Sequence, residues 1–169
     1  GGGIGVTTFP IVLTAHGQEV MTDFDPVDDP AVRCEHPGLA RAILNPYPMK
    51  IEQVDGNLNI SYEEWTTQRL VHMDSEFPDD LAPGNLGYSI AHYDNGKLVI
   101  SSMGMTRGLN MTRQFLWVSE QASTIEEYSL NQRGQLILEF TLTDPVMLQE
   151  PWRVEKMLNP YDQNLMSFD

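Results

Sequence analysis

Two dipeptides, Asp55-Gly56 and Asn95-Gly96, constrain what this chain can fold into more than any other feature. Each separates two short apolar-polar runs: residues 51–54 from 57–63, and residues 86–93 from 97–103. Such pairs accept the positive φ angles of a tight hairpin turn, which the twist of two adjoining strands requires. Arg133-Gly134 joins residues 124–130 to 135–143 in similar fashion. Within these runs the period is two. Leu58, Ile60 and Tyr62 alternate with Asn57, Asn59 and Ser61, and Leu136, Leu138, Phe140 and Leu142 alternate with polar neighbours. That period marks half-buried strands. Residues 66–73, 114–123 and 152–157 add three more runs. The expected fold is all-β: an antiparallel meander of about eight strands over residues 49–157, curled toward a barrel that removes its own edges.

Outside this body the pattern changes. Residues 1–48 read as an irregular N-terminal arm wrapping the body, and residues 158–169 as a short tail, all within one structural domain. In the arm, residues 6–13 are apolar and β-prone, but Pro10 lacks a backbone donor and suits an edge position. Residues 4–13 must therefore be covered, either by the chain's own barrel or by strand pairing with a neighbouring copy. Thr14 can cap a short helix over residues 15–22, and Asp29 before Pro30 can cap one further turn. Pro37, Pro46 and Pro48 predict irregular chain up to Met49. The longest gap in the body, residues 74–85, holds Pro78, Pro83 and Gly84; it reads as a site cover or as a plain connection.

A chain of 169 residues suits one well-buried core. The net charge of −14 repels phosphate backbones and anionic lipid, so nucleic acid is not an expected partner. No apolar run approaches the roughly 20 residues of a membrane span, so no membrane insertion is expected. A single cysteine, Cys34, excludes an intrachain disulfide; it reads either as a reactive thiol or, more cheaply, as a small, partly buried apolar side chain. The start Gly1-Gly2-Gly3-Ile4-Gly5 reads as a processed product or as the C-terminal part of something longer.

Candidate site residues come from parity. Read as a strand, residues 114–122 place Glu120 on the face of Leu116, Val118 and Ala122, while Arg69 shares a face with Val71 and Met73. Charges among apolar neighbours seek partners, so Glu120 is expected to point inward and pair with Arg69 or His72. The pair is either a ligand-orienting cluster or a structural ion pair. His72 and Asp74 end a strand at the mouth of the long loop, where His72 can act as a general base oriented by Asp74. Tyr88 and Trp117 complete the expected cluster, Trp117 with Phe115 walling an apolar cavity or packing a filled core. No metal site and no cofactor are expected. Asp23, Asp25, Asp28 and Asp29 lack an EF-hand pattern, and capping explains them more cheaply than calcium.

The run Phe24-Asp25-Pro26, Asp28-Asp29-Pro30-Ala31-Val32-Arg33-Cys34, Pro37-Gly38-Leu39 and Asn45-Pro46-Tyr47-Pro48 resembles a large, poorly characterised family of exported bacterial proteins. The resemblance continues through Arg69, His72-Met73-Asp74, Gly87, Ser89-Ile90, Leu98-Val99, Ser119-Glu120, Asp144-Pro145 and Pro151-Trp152, spanning roughly residues 12–155. It implies a calycin-like barrel by analogy, a periplasmic or extracellular setting, and an upstream domain missing from this chain. It carries over no established activity. Tyr88 and Val118 stand where the resemblance leads one to expect histidines, and Ser101, Ser102 and Met105 replace an acidic residue and an aromatic.

Three functional readings follow. The first is an exported barrel binding a small, largely apolar ligand against a few interior polar groups. The second is an enzyme of hydrolase or isomerase type using His72, Asp74, Tyr88 and Glu120. The third is an assembly module whose N-terminal strand pairs with a neighbouring chain.

Overall fold

The computed structural model describes residues 5–106 and 117–160. Strand β1 (Gly5–Thr8) and helix α1 (Ala15–Thr22) lead through 3₁₀ turns at Pro26–Asp28 and Pro30–Arg33 to helix α2 (Leu39–Leu44). Eight strands follow: β2 (Met49–Val54), β3 (Asn57–Tyr62), β4 (Thr67–Met73), β5 (Tyr88–Asp94), β6 (Lys97–Met103), β7 (Ser123–Leu130), β8 (Leu136–Thr143) and β9 (Trp152–Leu158). All nine strands form one sheet in the order β1-β9-β8-β7-β6-β5-β4-β3-β2. It is mostly antiparallel and curls into a half-barrel.

The local signals act as their chemistry requires. Asp55 and Gly56 have φ of 49° and 82°, and Asn95 and Gly96 have 47° and 81°. These turns set Val54 opposite Asn57 and Asp94 opposite Lys97. Thr14 Oγ1 accepts the Gly17 N–H at 3.0 Å and starts α1. Asp25 and Asp29 each accept an N–H two residues on, which caps the two 3₁₀ turns. Asp29 also accepts both hydrogen bonds from Arg41 Nη1, at 2.9 and 3.1 Å.

Three segments depart from the expected meander. Strands β4 and β5 run parallel, pairing His72 with Ile90 and Met73 with Ala91. Parallel neighbours need a link of roughly a dozen residues or more, and the long loop after β4 is that link. Second, residues 117–122 form no strand, and residues 114–116 lie outside the described residues. The cause is Asp144: its carboxylate accepts the Ser119 N–H at 2.7 Å and the Ser119 hydroxyl at 2.8 Å. The Ala122 N–H then closes back on Ser119 O at 3.2 Å, making a turn where a ladder was expected. Third, α2 lies where irregular chain was expected. Its Leu-Ala-Arg-Ala-Ile-Leu run is made of good helix formers, and it buries Leu39, Ala40, Ala42 and Ile43. The flanking prolines limit its length and do not prevent it.

The arm docks on its own sheet. Strand β1 pairs antiparallel with β9, from Gly5 opposite Met157 to Thr8 opposite Val154. The Trp152 indole N–H donates to Phe9 O at 3.0 Å, and Thr14 Oγ1 donates to Val146 O at 2.7 Å.

Among the described residues the inner face of the half-barrel is closely packed. Ile60, Val71, Ile100, Leu138 and Leu142 of the inner face have zero accessibility. A ligand-sized void would leave its lining accessible to water. Helix α2 belongs to the same core cluster. It is tied to the sheet through Lys156, whose Nζ donates to Ile43 O at 2.9 Å and to Asn45 O.

Candidate functional site

Arg69 lies in the interior, as its parity predicts, but its carboxylate partner is Glu126 and not Glu120. Arg69 Nη2 donates to Glu126 Oε1 and to Ser102 Oγ, both at 2.7 Å. Nε donates to Ser89 Oγ at 2.9 Å and Nη1 to Tyr62 Oη at 3.3 Å. Tyr128 Oη donates to the other oxygen of Glu126 at 2.7 Å. Burial is the largest single influence and opposes the charge on Arg69, but Glu126, Tyr62 and Tyr128 together hold the guanidinium's pKa above its ordinary value. Burial pushes the Tyr62 phenol up to about 12, and Tyr128 is raised in the same way. This cluster is closed and self-satisfied. It has the chemistry of a structural ion pair, with a surrounding hydroxyl shell in place of water.

Glu126 was legible from the sequence. It shares the parity of Thr124 and Tyr128 along β7, and all three face inward. Residues 114–122, read as a strand, offer Glu120 as a competing inward carboxylate and mask that signal. In the structure Glu120 is exposed in the 119–122 turn, with no bond to Arg69 or His72 among the described residues.

The other expected residues do not converge on that cluster. His72 and Tyr88 stack, with ring centroids 4.5 Å apart and planes 7° from parallel. Phe77 meets Tyr88 edge-on at 6.2 Å, which pins the long loop to β5. Asp74 is exposed at φ 48°, where its N–H donates to Ala91 O at 2.7 Å. His72 thus has an aromatic partner and no carboxylate orienting it among the described residues. Cys34 is exposed, not partly buried, and ends a 3₁₀ turn in the left-handed conformation. Among the described residues no three His, Cys, Asp or Glu side chains gather to hold a metal ion.

Trp117 lines a feature of the described residues that can hold a ligand. A surface cleft of about 520 Å³ opens between α1, the 117–121 segment and the Val146–Met147 backbone. His16 and Val20, four residues apart on one helical face, form one wall. Trp117, Val118, Ser119, Glu120 and Gln121 form the opposite wall. Trp117 is backed by Phe24, whose ring lies 5.7 Å away at 51°.

One buried carboxylate organises these walls. Asp144 is 1% exposed; besides Ser119 it accepts the N–H groups of Val146 and Met147, at 3.1 and 3.2 Å. Thr14 then ties α1 to the same backbone through Val146 O and Met147 O. Gly17 permits that contact, because a Cβ there would lie 2.4 Å from Met147 O. The cleft is therefore held by framework hydrogen bonds, in the manner of a pre-formed site.

Fold and cleft together define an open β half-barrel with a solid core and a peripheral pocket. No family model matches the chain, and no curated protein or solved structure does either.

Proposed function

We propose that this protein is a binding domain for a small, largely apolar ligand, held in the cleft between α1 and the 117–121 segment. The single observation that carries the reading is the combination of a closely packed half-barrel and a cleft of about 520 Å³ with fixed walls. That volume lies within the range of small-molecule sites, roughly 300–1,000 Å³. Val20, Trp117, Val118 and Met147 supply apolar contact, and Ser119, Gln121 and His16 supply hydrogen bonding at the margin. The interior cannot serve in the same way, because Arg69 and Glu126 already satisfy each other there.

The test is an amide-resolved NMR titration of the full chain with a panel of small amphipathic compounds. Shifts should gather on Val20, Trp117 and Met147, and Val20→Trp, which fills the cleft, should remove them. Shifts centred on Ile100 and Leu138, or none at the cleft with any compound, would overturn the reading.

A further inference from the structure

Resting on that reading of the cleft, we infer that the ligand is an organic cation: an apolar body carrying an ammonium or a similar positive group. Among the described lining residues Glu120 is the one carboxylate, and no lysine or arginine accompanies it. Glu120 is exposed on the turn held by Asp144, with no hydrogen bond or ion pair to another described residue. A negative charge therefore stands at the cleft with no basic partner among the described residues.

Trp117 adds a second attraction of the same sign. Its indole lines the cleft, and Phe24 packing limits its freedom. The negative face of an indole draws cations, most strongly of the three aromatic side chains. A carboxylate and an indole on one wall, three residues apart, suit a ligand whose charge lies at the rim and whose apolar part reaches Val20 and Met147. The net charge of −14 acts in the same direction at longer range, concentrating cations and repelling anions. His16 on the facing helix does not neutralise Glu120. Its Nδ1 lies 3.8 Å from Glu19 Oε2, so its nearest acid is on its own helix.

Three compounds of similar size test the inference: phenethylamine, phenethyl alcohol and 3-phenylpropanoate, each titrated against the full chain at low salt. The readout is the Trp117 indole N–H resonance, assigned with Trp117→Phe. Phenethylamine should bind about tenfold more tightly than phenethyl alcohol, the sum of one exposed cation–π contact and one exposed ion pair. The carboxylate should bind most weakly. In Glu120→Gln the advantage of the amine over the alcohol should shrink to about threefold, the share left by the Trp117 cation–π contact. Equal affinities for amine and alcohol would overturn the cation inference and leave the cleft reading standing. So would an amine preference that survives undiminished in Glu120→Gln. If none of the three moves the Trp117 resonance, the cleft reading falls and the cation inference falls with it.

Discussion

Replacing Glu126 with alanine isolates the most consequential pair in the molecule. The Arg69 and Glu126 side chains are 1% and 0% accessible, and their charged atoms lie 2.7 Å apart. Without Glu126, the guanidinium keeps only the neutral oxygens of Tyr62, Ser89 and Ser102. Removing one partner of such a pair costs about 3–5 kcal/mol. Tyr128 also loses the acceptor of its hydroxyl, a further loss of about 1–3 kcal/mol that overlaps with the first. A total near 4–5 kcal/mol is therefore expected, a large part of the 5–15 kcal/mol that typically stabilises a domain. With a urea m-value of about 2 kcal/mol/M, the midpoint should fall by roughly 2 M. Urea unfolding followed by circular dichroism measures it. Arg69→Met with Glu126→Leu should recover most of the loss, because a well-packed apolar pair avoids the desolvation of both charges. Glu120→Ala, on an exposed turn, should stay within about 0.5 kcal/mol of the parent. The reasoning fails if Glu126→Ala costs less than about 1 kcal/mol, or if the double variant is as unstable as the single one.

Burial lowers the Lys156 ammonium from its ordinary 10.5 to about 8. Between those values the unfolded chain binds more protons, so stability should rise with pH from 8 toward 10, by an amount on the order of 2 kcal/mol. Above pH 10 the unfolded tyrosines ionise, while folded Tyr62 holds its proton to about 12, so stability should then fall. Urea midpoints that decline steadily from pH 8 would refute the Lys156 assignment, and Lys156→Met should flatten the rising limb. Gly17→Ala should lower the melting temperature, because its Cβ would sit 2.4 Å from Met147 O; the overpacking costs about 1–3 kcal/mol. The same variant displaces α1 and should weaken binding at the cleft, which the NMR titration reads directly. Cys34→Gly should stabilise by about 0.5–1 kcal/mol, since Cys34 is exposed with φ 57°; a lowered melting point would show that its side chain has a partner.

The sequence by itself determined what local chemistry controls. Asp55-Gly56 and Asn95-Gly96 can hardly do anything but turn, and the period-two runs beside them can bury only one face. The Thr14 cap and the Asp29-Pro30 start were legible for the same reason: each is decided within three residues. Arg69 was placed inside by parity alone. Its partner was not, because Glu120 and Glu126 offer similar patterns, and the choice between them rests on Asp144, 25 residues beyond Ser119. That distant carboxylate bends the 119–122 segment into a turn, sends Glu120 to the surface and leaves the interior to Glu126. Helix α2 was hidden similarly: six residues between prolines carry little signal, and burial against the half-barrel stabilises what propensity alone would not. The cleft belongs wholly to tertiary structure. Its walls come from residues 16–20, 117–121 and 146–147, and long-range hydrogen bonds, chiefly those of Thr14 and Asp144, bring those segments together.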